Sequence, residues 1–255
     1  MKLKIRLAAV AAAMALGAPL AHADCRNLPS WSQLKEALVS AVAAESSGLD
    51  FQMWATLVDR DGTVCAVAFS GAARGAQWPG SRVISAQKAN TANAFSLDGL
   101  ALSTANLFSA VQPGGSLFGL QHSNPVDTSL AYGGNSANNG LANDFMVNKK
   151  IGGVNVFGGG LGLYNEQHKV VGGVGVSGDT SCADHMIAWR VRNNLGLDHL
   201  FGAVGGVSGD PARPDNIVYD ITPNPGGGTG NSAGGFGHAT CLNTAVPAGL
   251  PAVRP

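Results

Sequence analysis

The sequence has little charge and few aromatic side chains. Charged residues make up 13% of the 255 positions, aromatic residues make up 6%, and the formal net charge is zero. The composition therefore gives no indication of a basic surface that would bind nucleic acids or anionic membranes. Hydrophobic residues account for 45% of the chain, enough for one globular domain with a substantial core, and 36 glycines indicate many loops.

Long apolar runs are also missing, apart from residues 7–20, which follow three basic residues at the start of the chain. This run is shorter than the roughly 20 residues of a membrane-spanning helix. The tripeptide Ala-His-Ala at positions 21–23 supplies the small residues that a signal peptidase recognises. We expect residues 1–23 to be a cleaved secretory signal peptide, and the mature protein to be periplasmic or secreted without membrane insertion.

Cysteine is scarce, and its number is even. The four cysteines are Cys25, Cys65, Cys182 and Cys241, all beyond the predicted cleavage site. An even number in an exported protein predicts two disulfides, and four cysteines allow three pairings. Because the four are far apart in sequence, each bridge would close a long loop, which is worth about 3–5 kcal/mol in the chain-entropy model.

The spacing of apolar residues predicts helices and antiparallel strands in one domain. Helices are expected at residues 30–44, 81–95 and 181–194, and strands at 54–58, 63–69, 154–157, 161–164 and 170–176. Ser30 is a candidate N-cap, and the glycines within residues 170–176 predict close contact between a helix and a strand. Residues 96–150 are rich in loop-forming residues, with one short helix expected at 104–111.

The order of these elements favours an α+β fold with helices covering an antiparallel sheet. We expect this domain to occupy residues 24–202, and residues 203–255 to form an irregular extension rich in glycine and proline.

Two common catalytic motifs are absent. The glycine-rich stretches at residues 158–162 and 172–178 lack the Lys-Ser/Thr of a phosphate-binding loop. Ser177 does not lie in the Gly-x-Ser-x-Gly sequence of a hydrolase nucleophile elbow, so a structural role in a turn is favoured. We assign no catalytic residue.

The histidines are the candidate ligands. Cys182-x-x-His185 on the last helix mirrors His238-x-x-Cys241 in the tail. A Cys182–Cys241 disulfide would bring both imidazoles together, where they could ligate iron or haem. Reduced cysteines would instead complete a Cys2His2 zinc site, and in a third alternative both histidines only hydrogen-bond to backbone.

His122, in the central loop, is an open candidate. His168 and His199 are expected to be ordinary surface residues.

Four motifs occur in the order LVDRDGTV at 57–64, ISAQKANTANAF at 84–95, the glycine pair at 152–153, and VVGGVGVSG at 170–178 followed by Asp184. This order resembles the GlcG/HbpS-like family of haem-binding and haem-degrading proteins, whose fold also forms the C-terminal part of PduO-type proteins. The resemblance spans about residues 31–195. The family positions that it carries over, most of them expected to maintain the fold, are Asp59, Gly62, Lys88, Thr91, Phe95, Gly153, Gly175, Ser177, Gly178 and Asp184.

The resemblance implies a profilin-like domain, a homo-oligomer, and haem or a related tetrapyrrole as ligand. The leading hypothesis is an exported protein that binds haem for sequestration or sensing, with His185, His238 or His122 as the candidate ligand of the iron. The alternatives are a weak haem-degrading enzyme and an extracellular sensory partner without ligand turnover. The chain departs from the family pattern at residues 154–155, in a longer segment at 157–164, at Cys182–His185, and in its added tail.

Overall fold

The molecule is built around a four-stranded antiparallel sheet. The structure is a computed structural model that describes residues 24–255, so the predicted signal peptide lies outside the described residues. Its helices are α1 (Trp31–Ala43), α2 (Ser81–Ala94), α3 (Leu120–Ser123), α4 (Thr128–Ala131) and α5 (Ser181–Asn194). Its strands are β1 (Trp54–Asp59), β2 (Val64–Phe69), β3 (Gly160–Tyr164), β4 (Val170–Ser177), β5 (Ile221–Thr222) and β6 (Asn231–Ser232).

The strand order of the central sheet is β2-β1-β4-β3, and β5 and β6 form a separate small hairpin. Helix α2 contacts strands β1, β4 and β3, whereas α1 and α5 contact each other and the sheet. The buried side chains form two main clusters, one that includes residues of α1 and α5 and one that includes residues of α2. This arrangement confirms the predicted α+β class. No helix among residues 24–255 is both long and apolar enough to span a membrane.

Local sequence signals account for the start of the first helix. Ser30 caps α1: its side chain accepts a hydrogen bond from the Gln33 amide, and the Gln33 side chain accepts one from the Ser30 amide. This reciprocal capping satisfies two amides that would otherwise lack partners. At the edge of the sheet, the indole of Trp31 donates to the carbonyl of Val67 in β2 at 3.0 Å, which joins α1 to that strand.

Glycine allows α2 to lie directly on strand β4, as the sequence predicts. A Cβ atom at Gly175 would lie 2.0 Å from the carbonyl oxygen of Ser85, and one at Gly173 would lie 2.3 Å from that of Ala89. Any side chain at these positions would push the helix away from the sheet. The backbones of α2 and β4 are therefore in contact.

Residues 154–157 are not a strand, so this prediction was wrong. The apolar residues alternate as in a strand, but the amide of Asn155 is bound by the hydroxyl of Thr91 at 2.9 Å. The carbonyl of Phe157 accepts from the hydroxyl of Thr104 at 2.7 Å. Side chains therefore take the place of a neighbouring strand.

The short helix predicted at residues 104–111 is instead two 3-10 turns, Thr104–Leu107 and Ser109–Val111. The side-chain amide of Asn106 donates to the carbonyl of Asn216 at 2.9 Å, and this contact holds the first turn against the C-terminal residues.

Both disulfides are present, and the structure resolves the pairing that the sequence left open. Cys25 is bonded to Cys65 on β2, and Cys182 on α5 is bonded to Cys241. We call residues 203–255 the C-terminal segment. It is mostly irregular, yet Leu250 and Val253 are buried in the same cluster as α1 and α5.

Candidate functional site beneath the C-terminal segment

Three parts of the chain meet over helix α5. The Cys182–Cys241 disulfide joins α5 to the C-terminal segment. From the central loop, the hydroxyl of Ser109 donates to the carbonyl of Gly237 at 2.6 Å. The C-terminal segment therefore covers the first turns of α5, where the candidate ligand His185 lies.

His185 is fully buried. Its Nε2 atom lies 3.1 Å from the amide nitrogen of Ile217 and 3.2 Å from Oδ1 of Asn216, and that amide also donates to Asn216. Its Nδ1 atom has no hydrogen-bond partner among residues 24–255. Burial lowers the pKa of His185 to about 3. The ring is thus a neutral imidazole with one unsatisfied buried nitrogen.

His238 lies in the same buried region, and both of its ring nitrogens are bonded to backbone. Nδ1 lies 2.6 Å from the carbonyl oxygen of Ala239, to which it donates, and Nε2 accepts from the amide of Gly158 at 3.3 Å. The ring also packs on Phe108, with 4.5 Å between centroids. Burial lowers the pKa of His238 to about 4. Its lone pair is therefore directed at a backbone amide.

A buried ion pair lies beside these rings. Lys88 on α2 and Asp184 on α5 are 2.6 Å apart, and neither side chain is more than 2% exposed. The Lys88 ammonium also donates to the carbonyl of Val176 at 3.1 Å, while Asp184 accepts from the amides of Gly178 and Asp179 at 3.0 Å each. Burial lowers the pKa of Lys88 and raises the pKa of Asp184 to about 6. The pair joins α2, β4 and α5 through the centre of the molecule.

Other positions carried over from the family resemblance have structural contacts. Asp59 accepts from the amides of Asp61 and Thr63 at 3.0 and 2.8 Å and so closes the turn between β1 and β2. Gly62 in that turn has a φ of +79°, which favours glycine. Asp59 and Gly62 therefore stabilise the turn between β1 and β2.

His122 has a different environment. It is exposed on the short helix α3, and its ring has no hydrogen-bond partner among the described residues. Leu117 and Leu120 beside it are partly buried against an apolar cluster, and Phe118 is 61% exposed. We call residues 117–122 the His122 surface. An accessible imidazole next to apolar side chains could bind a flat apolar ligand that carries a metal.

The two remaining histidines contact the chain near its C-terminus. Nδ1 of His168 lies 3.1 Å from the carbonyl oxygen of His199, and Nδ1 of His199 lies 2.6 Å from that of Pro255. Both are partly exposed. These contacts tie the β3–β4 turn to the end of the chain.

Comparison with known proteins decides the family. A family model described as "Haem degrading protein HbpS-like" matches residues 32–192, which is more than half of the chain. The chain belongs to the HbpS-like family. This confirms the resemblance inferred from the four motifs. Among curated proteins, none matches this HbpS-like chain significantly.

Several solved structures are similar to the HbpS-like chain. Klebsiella pneumoniae protein ORFY is 24% identical, with 64% of this chain and 86% of that chain covered and a TM-score of 0.44. A PduOC–haem complex is 23% identical, with 64% and 89% covered and a TM-score of 0.44. HbpS itself is 15% identical, with 73% and 99% covered and a TM-score of 0.44.

Proposed function

We propose that this HbpS-like chain is an exported protein that binds haem, for sequestration or sensing. Membership of a family described as haem-degrading carries the proposal. The two disulfides support an oxidising compartment, in which such bonds persist. The mature protein is expected to begin at Asp24 and to assemble as a homo-oligomer, which N-terminal sequencing and light scattering would test.

His122 is the histidine that best fits haem in this structure. Haem supplies an iron whose axial position accepts a neutral imidazole nitrogen. The ring of His122 is exposed, and Phe118, Leu117 and Leu120 offer apolar area for the macrocycle. We propose that the His122 surface holds haem, with His122 as the axial residue.

His185 and His238 remain alternative ligands, but they do not fit haem in the arrangement seen here. Their exposed fractions are 0% and 2%, and each Nε2 lies within 3.3 Å of a backbone amide nitrogen. They could reach iron only after the C-terminal segment moved away from α5. Ligation by this pair therefore predicts that haem binding requires opening of the Cys182–Cys241 disulfide.

A haemin titration tests the ligand assignment. Haemin added to the wild-type protein is expected to shift the Soret band. In His122→Ala the affinity is expected to fall about tenfold or more, with loss of the spectrum of imidazole-bound iron. His168→Ala is the matched control, because His168 is another partly exposed histidine, and it should bind as the wild type does. Unchanged binding in His122→Ala would overturn the assignment, and loss in His185→Ala or His238→Ala alone would favour the buried pair.

Haem degradation is a second candidate, because the description of the family model names it. It predicts that the haem complex loses its Soret absorbance with peroxide or reductant faster than free haemin does. Equal rates would leave binding as the function. A role as an extracellular sensory partner would instead predict co-purification with a membrane receptor.

A further inference from the structure

Three potential metal ligands lie together where the C-terminal segment meets α5. The sulfurs of Cys182 and Cys241 and one ring nitrogen of His238 all lie within 4.8 Å of one another. In a tetrahedral zinc site with Zn–S distances of about 2.3 Å, two sulfurs are separated by about 3.8 Å. The sulfurs are 2.03 Å apart in the disulfide, so after reduction they would have to move apart only slightly to reach the separation found in a zinc site.

The surroundings of Cys241 suit a thiolate. Its sulfur accepts a hydrogen bond from the amide of Cys182 at 3.2 Å and lies 3.5 Å from the hydroxyl of Ser181. Both donors belong to the first turn of α5, whose N-cap is Thr180. Amides at a helix N-terminus stabilise nearby negative charge. Reduction would therefore leave a sulfur that is already bonded to two donors.

The imidazole of His238 is held in place by other contacts. Packing on Phe108 and hydrogen bonds with Ala239 and Gly158 orient the ring. Such contacts around a ligand histidine commonly raise metal affinity because the ring does not have to be ordered on binding. One of the two backbone contacts would be exchanged for the metal.

We propose that reduction of the Cys182–Cys241 disulfide creates a site for a thiophilic divalent metal of the zinc class, with Cys182, Cys241 and His238 as ligands. An external dithiol gives two electrons and two protons to the Cys182–Cys241 disulfide. The S–S bond of the protein breaks to give two thiols, and the dithiol is oxidised to a disulfide. Metal binding then displaces one proton from each of the two protein thiols. The site is independent of the proposed haem function.

The other disulfide offers an internal comparison. Cys25, Cys65 and Asp59 also lie within 4.8 Å of one another, but Oδ1 of Asp59 accepts two backbone amides in the turn after β1. That group contains no histidine. Because the chain has four cysteines, the variant Cys25→Ser/Cys65→Ser keeps only Cys182 and Cys241.

The test uses the mature Cys25→Ser/Cys65→Ser protein, reduced with a phosphine under anaerobic conditions and titrated with Co²⁺ and then Zn²⁺. One Co²⁺ per chain is expected, with thiolate-to-cobalt charge-transfer absorption that Zn²⁺ abolishes. The oxidised protein should show none, and His238→Gln should weaken binding about tenfold or more.

Two results would overturn the proposal. One is the absence of charge-transfer absorption when a thiol reagent shows that both cysteines are reduced and tryptophan fluorescence shows that the chain is folded. The other is equal affinity in His238→Gln. Because the intensity of the absorption reports the number of thiolates, Cys241→Ser provides a second check and should retain about half of it.

Discussion

Replacing Lys88 with methionine removes the positive charge from an ion pair buried at the centre of the molecule. The Lys88 and Asp184 side chains are 0% and 2% exposed. Methionine fills a similar volume without charge, so Asp184 would be left as an unpaired carboxylate. Breaking a buried pair in this way costs about 3–5 kcal/mol of folding free energy. The variant should be less stable than the wild type by this amount at pH 8.

The loss should depend on pH. Burial already raises the pKa of Asp184 from 3.8 to about 6, and Lys88 is the largest influence that opposes this rise. A pKa rise of this size means that the folded protein favours the protonated over the ionised carboxyl by about 3 kcal/mol more than water does. Because the folded state of Lys88→Met holds the proton of Asp184 more tightly than the unfolded chain, its stability falls as the pH rises through 6 and above. At pH 5 the carboxyl is protonated, so the difference from the wild type should shrink by about 2 kcal/mol or more.

Urea denaturation at pH 5 and pH 8, followed by tryptophan fluorescence without reductant, measures both quantities. The control is Lys88→Met/Asp184→Asn, in which the amide oxygen still accepts from Gly178 and Asp179 but carries no charge. It should be more stable than Lys88→Met at pH 8. A loss below about 1 kcal/mol at pH 8, or an equal loss at both pH values, would refute the role assigned to the pair.

Three other substitutions test the fold. Gly175→Ala should lower the folding free energy by about 3 kcal/mol or prevent folding, because its Cβ would meet the backbone of α2. The control is Gly99→Ala, whose Cβ would lie in open space. In thermal denaturation its stability should be within about 0.5 kcal/mol of the wild type. Cys25→Ser/Cys65→Ser should lose about 4 kcal/mol in urea titrations, from a bridge with a separation of 40 residues, and an unchanged midpoint would contradict the chain-entropy argument. Trp31→Phe removes an indole that donates to two carbonyls and should lower the folding free energy by about 1–2 kcal/mol. An unchanged denaturation midpoint would show that water replaces both hydrogen bonds.

Local sequence patterns predict the main helices and the four strands of the central sheet, because amphipathic stretches and short apolar runs bounded by turn residues are signals within one segment of the chain. The capping residue Ser30 and the close contact at Gly175 are also readable from sequence, since both depend on one residue type in a local setting. Residues 154–157 mislead because the alternation of apolar residues does not say what binds the backbone. There, the side chains of Thr91 and Thr104 do so.

Contacts between distant segments could not be predicted. The Lys88–Asp184 pair joins residues 96 positions apart, and the motifs identify each residue without indicating that they meet. The histidine pattern next to Cys182 and Cys241 points to two segments that the structure joins by a disulfide, with His238 beside the sulfurs. It does not reveal that the C-terminal segment buries both rings, because burial depends on how that segment crosses α5.

Haem binding can be measured by titrating haemin into the wild-type mature protein and following the Soret band against buffer alone. We expect a shifted band that saturates near one haem per chain at micromolar concentration. A spectrum that remains the sum of free haemin and protein throughout the titration would contradict it.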